Sequence, residues 1–152
     1  MTKSQRMKPL KRLADNREQE AARALAKAER ALREAEKTLS DIESYRGEYN
    51  VRWRETAAQA AGLPARALRE YQAFLDRLDQ AMGQQRGRIE LCRKDFEFRR
   101  QAWIATRRKT QTFDKAIERF QHQERRVEDK REQGDTDERG QRYNGGDRSD
   151  GT

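Results

Sequence analysis

The chain is poor in everything that builds a thick globular core or a catalytic centre. Only 33% of its 152 residues are hydrophobic and 7% aromatic, against 41% charged. That is too little apolar material for a multilayer core. There is one histidine, His122, set between glutamines, and one cysteine, Cys92. A lone histidine in a charged helix reads as solvated rather than as a general base, and no other is present to activate Cys92 or a serine. No pair of His or Cys has metal-ligand spacing, and no glycine loop is built to cradle a phosphate. The expectation is therefore no enzyme: no catalytic residue, no metal and no cofactor. Cys92 has no intrachain disulfide partner and fits a small buried thiol in a reducing compartment. No apolar run is long enough to span a bilayer, and the start, MTKSQRMKPLKRL, lacks the apolar stretch of a signal peptide. A soluble cytoplasmic protein is expected.

Proline is scarce as well, with only Pro9 and Pro64, and what fills the space between is heptads. From Leu68 to Val127 one column reads Leu68, Leu75, Met82, Ile89, Phe96, Trp103, Thr110, Ile117 and Glu124. A second, three residues on, reads Tyr71, Leu78, Gln85, Cys92, Arg99, Thr106, Phe113, Phe120 and Val127. Alternating steps of three and four are the period of a coiled-coil seam. Gly83 and Gly87 both fall off it. Upstream, Leu25, Leu32, Leu39, Arg46 and Trp53 run beside Ala21, Ala28, Ala35, Ile42 and Tyr49, with Leu10 and Leu13 extending the stripe after a slip near Arg17. Opposite charges at helical spacing, such as Glu29 with Arg33 and Glu43 with Arg46, add solubility and a few tenths of a kcal/mol per pair.

Between the two stripes stands Ala60-Ala61-Gly62-Leu63-Pro64: glycine to end one helix, proline to open the next. A short connection between two long, matching stripes predicts an all-α fold, an antiparallel two-helix coiled-coil hairpin. The expected divisions are a basic frayed start over 1–8, a helix over 9–61 opened by Pro9, a turn over 62–64, a helix over 65–132 and a disordered tail over 133–152. The tail holds five of the nine glycines and almost nothing apolar. Two registers suit the seam. One sets Ala35 by Met82, Ala28 by Ile89, Ala21 by Phe96 and Ala14 by Trp103, and brings Glu18 to Arg99. The other, a heptad along, tightens the turn but sets Leu25 against Arg99. Packing favours the first.

At ~1.5 Å per residue the helices would span roughly 80 and 100 Å, so the second should outrun the first and leave Ile117, Phe120 and Val127 without a full partner. An unpaired apolar stripe marks either an interaction surface or self-association and fraying. Aromatics crowd the turn end, with Tyr45, Tyr49 and Trp53 before it and Tyr71, Phe74, Leu75 and Leu78 after. They make either a docking patch or a local core capping the hairpin. A basic stretch from Arg86 to Lys109 carries nine Lys or Arg against Glu90, Asp95 and Glu97, with Leu91 and Phe98 on an outer face among them. Together with the formal charge of +8, it leaves open a nucleic-acid-binding arm or an acidic protein partner.

Leu10, Leu13 and Ala14, then Ala21-Ala22-x-x-Leu25, Leu39, Ile42 and Tyr45-x-x-Glu48-Tyr49, and after the turn Tyr71-x-x-Phe74-Leu75-x-x-Leu78-x-x-Ala81, follow a family pattern. Over about residues 8–130 the chain resembles the flagellar type III export protein FliJ family, departing from its pattern at Thr38 and Gln85. The resemblance implies a coiled coil similar to the central stalk of rotary ATP synthases. It implies insertion of the end carrying both termini into the hexameric export ATPase, promoting its assembly and activity. It also implies contact with the export-gate membrane protein and escort of substrate chaperones, at the inner face of the cell membrane. The gate and chaperone patch would map onto Ile42, Tyr45, Tyr49, Phe74, Leu78 and Ala81, with Phe74 and Leu78 foremost. The ATPase end would carry Leu10, Leu13, Phe113, Ile117, Phe120 and Val127. The equivalent stalk of a virulence secretion system is the nearest alternative. Binding of nucleic acid is not expected, nor is membrane insertion.

Overall fold

A computed structural model describes residues 1–59 and 63–146. Among these there are two α-helices and no strand: α1 over Lys3–Gln59 and α2 over Ala65–Gly146. Contacts divide the chain into two units, Glu20–Ile104 and Met1–Gln19 with Ala105–Thr152. In each, a length of α1 packs antiparallel against a length of α2. Of the connecting turn, Leu63 and Pro64 are described and non-helical. The Pro64 carbonyl accepts the Leu68 N–H at 3.2 Å, so the proline stands at the cap of α2, one residue before it. Gly62 lies outside the described residues.

In the unit Glu20–Ile104 the interior is thin, as the composition requires. Its buried apolar side chains are Ala28, Ala35, Tyr71, Met82 and Ile89. Alanines on α1 face large side chains on α2, which lets the helices approach closely. Across the pair, Arg46 bonds Asp79 at 2.9 Å, and Arg86 and Arg93 reach Glu43 and Glu36 at 3.7 and 3.8 Å. The Gln85 amide donates to the Ala35 carbonyl at 2.8 Å. These contacts fix the register with the tighter turn, a heptad along from the one that sequence packing favoured. They set Ala35 level with Ile89, and Glu43 and Arg46 pair across the helices rather than with each other. The objection to this register was Leu25 against Arg99. It fails because the Arg99 guanidinium turns outward to Asp95 at 3.4 Å and lies 5.7 Å from the centre of the Phe98 ring. A long side chain contributes its stem to the seam and keeps its charge in water. Cys92 is half-buried and free, and Leu68, first of the seam column, is 54% exposed.

In the other unit α1 starts well before the expected boundary at Pro9. Thr2 and Gln5 form a reciprocal capping box: the Gln5 N–H donates to Thr2 Oγ1 at 3.3 Å and the Thr2 N–H to Gln5 Oε1 at 3.1 Å. Pro9 therefore lies inside the helix. The extra residues and the shifted register together cover part of α2 expected to be bare. Ala14, Thr110 and Ile117 are buried and Phe120 is half-buried beneath Lys3, whose ammonium stands 5.8 Å from the ring centre. Ile117 thus has a partner, and of the expected overhang only Val127, 53% exposed, remains uncovered. The boundary of the tail also moves. Helix α2 continues past Gln133 to Gly146, with every side chain from 131 to 145 exposed. The remainder, 147–152, lies outside the described residues.

Candidate partner-binding site

Of the first candidate set, Tyr45, Tyr49 and Phe74 are brought together by facing turns of α1 and α2. Ring centres lie 4.4 Å apart for Tyr49 and Phe74, 6.1 Å for Tyr45 and Phe74, and 6.5 Å for Tyr45 and Tyr49. The ladder runs on into the hairpin. Tyr49 stacks on Tyr71 at 5.7 Å, and Tyr71 lies flat on Trp53 at 4.2 Å with the planes 2° from parallel. The Tyr71 hydroxyl donates to Asn50 Oδ1 at 2.7 Å. The two readings of the aromatic excess therefore divide along one ladder. Trp53 and Tyr71 belong to a local core, while Tyr45 is 51% exposed. Ile42, Phe74, Leu78 and Ala81 are half-buried in the same unit, and Phe74 is as much a packing residue as a surface one.

The second set lies in the unit Met1–Gln19 with Ala105–Thr152. Leu10 and Leu13 are 49% and 48% exposed, because the buried run of α1 passes through Ser4, Met7, Lys11 and Ala14 and the two leucines lie beside it. With Ala14, Arg17, Lys109 and Phe113 they line an apolar groove of about 220 Å³. That is smaller than small-molecule sites and suits one or two apolar side chains of a partner, with Arg17 and Lys109 on its rim. Beyond it, Lys11 bonds Asp114 at 2.8 Å, which keeps the Lys11 ammonium protonated to higher pH than an ordinary lysine. Phe120 and Val127 line a separate, more open groove with Thr2 and Lys3. Ile117 lies buried between the helices.

The residues that anchor this unit were missed in the sequence. Ser4, 4% exposed, donates its hydroxyl to Glu124 Oε2 at 2.7 Å and its N–H to Oε1 at 3.1 Å. A carboxylate on α2 thus caps the positive end of α1, which has no acidic residue of its own in its first turn. The readable signal was Thr2-x-x-Gln5, but no apolar period supports it. The two bonds from Ser4 hold the Glu124 carboxyl below its ordinary range. Because the folded value is the lower one, the clasp contributes fully above the ordinary glutamate range and is lost as the pH falls through the folded value. Amide exchange measured by NMR should show it. Acidification should reduce protection of the Ser4 N–H, and Glu124→Gln should flatten that dependence; equal pH profiles in the two proteins would mean that Glu124 does not hold this end.

Among the described residues no group of His, Cys, Asp and Glu could hold a metal ion, and no helix is long and apolar enough to cross a membrane. Among curated proteins and among solved structures none matches the chain. The family model described as the flagellar FliJ protein matches residues 2–146, both helices and the turn. The chain therefore belongs to the flagellar FliJ protein family and is a structural component of flagellar type III protein export.

Proposed function

We propose that the chain acts as the stalk of the export ATPase. The unit holding Met1–Gln19 enters the ring of the hexameric ATPase and promotes its assembly and activity. The patch around Tyr45 contacts the export-gate membrane protein and receives substrate chaperones. The protein does no chemistry of its own and works at the inner face of the membrane, held there by its partners. The observation that carries this reading is the groove at Leu10, Leu13 and Phe113, where two leucines beside the seam of α1 stay half-exposed. A two-helix seam leaves such residues open when a further surface is to cover them.

The test is ATP hydrolysis by the purified export ATPase with and without the full chain. Stimulation and a shift to hexamers are expected. Absence of both, with retention of generic DNA or RNA that falls steeply with salt, would replace the stalk by a nucleic-acid-binding arm. For the gate patch, Tyr45→Ala is a cleaner probe than Phe74→Ala, because Phe74 packs on Tyr49. Tyr45→Ala should weaken binding to the gate's soluble domain about tenfold, an aromatic hot-spot effect, with circular dichroism unchanged. Unaltered affinity would remove the patch from the proposal.

A further inference from the structure

In the unit Glu20–Ile104 the face of α2 away from α1 carries two large apolar side chains left mostly exposed, with only the Arg99 guanidinium standing over the Phe98 ring, 5.7 Å from its centre. Leu91 is 68% exposed and Phe98, one heptad on, is 66% exposed. At ~100° per residue they share a stripe with Gly83 and Gly87 before them and Ala102 after. Single exposed apolar residues are ordinary on any surface, but three features set this stripe apart. Arg88 and Lys94, three residues before and after Leu91, flank it on its two sides, and neither has an ion-pair partner among the described residues. Their neighbours Arg86, Arg93, Arg99 and Arg100 are all engaged with carboxylates. Gly83 and Gly87 weaken the helix without serving its packing, since a Cβ at either position would meet nothing within 4 Å. They lower the surface where another backbone could approach. Finally Asp95, between the two anchors, is held by Arg99 at 3.4 Å. That carboxylate, one heptad after Arg88 and on the same border of the stripe, disfavours an anionic lipid surface. With its charge met by Arg99, it leaves Arg88 and Lys94 as the unpaired charges beside the stripe among the described residues.

We infer that this face docks an acidic amphipathic helix of a partner protein. Leu91 and Phe98 insert into its apolar stripe, and Arg88 and Lys94 pair with Asp or Glu on the stripe's two borders. Some five turns of α2, from Gly83 to Ala102, form the platform. The inference is independent of the stalk reading, because none of the surfaces named there is used.

The test uses the full chain and a fluorescent designed helical peptide of about 21 residues, with leucines at heptad positions and glutamates beside them. A second peptide has lysines in place of the glutamates. Anisotropy titration should show the glutamate peptide bound and the lysine peptide weaker by about tenfold or more. Leu91→Ser/Phe98→Ser should abolish binding. Arg88→Glu/Lys94→Glu should exchange the preference, so that the lysine peptide now binds. Gly87→Leu should raise the unfolding midpoint, because leucine is the better helix former and meets no obstacle, and yet block the peptide. Failure of the glutamate peptide to bind, equal binding of both peptides, or charge reversal without a change of preference would each overturn the inference. So would dimerisation of the chain, or its sedimentation with phosphatidylglycerol vesicles, if either were lost in the Leu91→Ser/Phe98→Ser protein.

Discussion

Tyr71→Ala should lower the unfolding free energy of the helix pair by about 3–5 kcal/mol, the range for truncating a large aromatic in a packed interior. Tyr71 is 8% exposed and carries three separate contacts: its stack on Trp53, its stack on Tyr49, and the hydroxyl bond to Asn50. Each aromatic pair contributes about 0.5–1.5 kcal/mol beyond the area it buries, and a net hydrogen bond about 1 kcal/mol. Its neighbours Trp53 and Tyr49 both lose a stacking partner when the ring is removed. Tyr71→Phe should keep the stacks and lose only about 1 kcal/mol. Urea titration followed by circular dichroism gives both values, and in a Trp103→Phe background the fluorescence of Trp53 reports the same event locally. If Tyr71→Ala moved the midpoint no further than Tyr71→Phe, the ring ladder would be decoration on a helix pair held by its aliphatic seam.

The ladder also marks what the sequence could and could not reveal. Periodicity located the seam well: Tyr71, Met82, Ile89 and Ile117 all came from the two heptad columns and are all buried. Leu91 and Phe98, placed on the outer face by the same period, are exposed. Periodicity could not fix register, because a slip of one heptad preserves every column. The choice rested on the apparent conflict of Leu25 with Arg99, which assumed that arginine keeps its charge where its Cα points. Nor could it find the start of α1. That end is set by hydrogen bonds from Thr2, Ser4 and Gln5, and such caps leave no apolar signature, whereas Pro9 offered a plausible but false boundary. Missing those first residues, together with a register one heptad short, is what turned Ile117 into an apparent overhang. The division of the aromatic excess was out of reach for a similar reason: whether Tyr45 or Tyr71 faces water depends on a rotation of less than one helical turn.

Leu10→Gln/Leu13→Gln should weaken association with the export ATPase by roughly 30-fold while leaving the fold intact. Burying a whole leucine side chain is worth about 1.5–3 kcal/mol. Both leucines are already about half hidden in the free chain, so each has about 1 kcal/mol left to gain from a partner. Two together give about 2 kcal/mol, which at 1.4 kcal/mol per tenfold is the stated loss. Glutamine is nearly as good a helix former as leucine, and Ala14 beneath them is untouched, so helix content should hold. Ile117→Ala supplies the contrast. Ile117 is 9% exposed, so its truncation should cost about 2–5 kcal/mol of stability and affect the ATPase only through unfolding. Titrating each variant into the ATPase at a temperature where all three proteins are folded separates the two effects. Equal stimulation by the leucine variant and the unaltered chain would move the ATPase contact off the Leu10–Phe113 groove and leave the groove at Phe120 and Val127 as the apolar surface of this unit to test next.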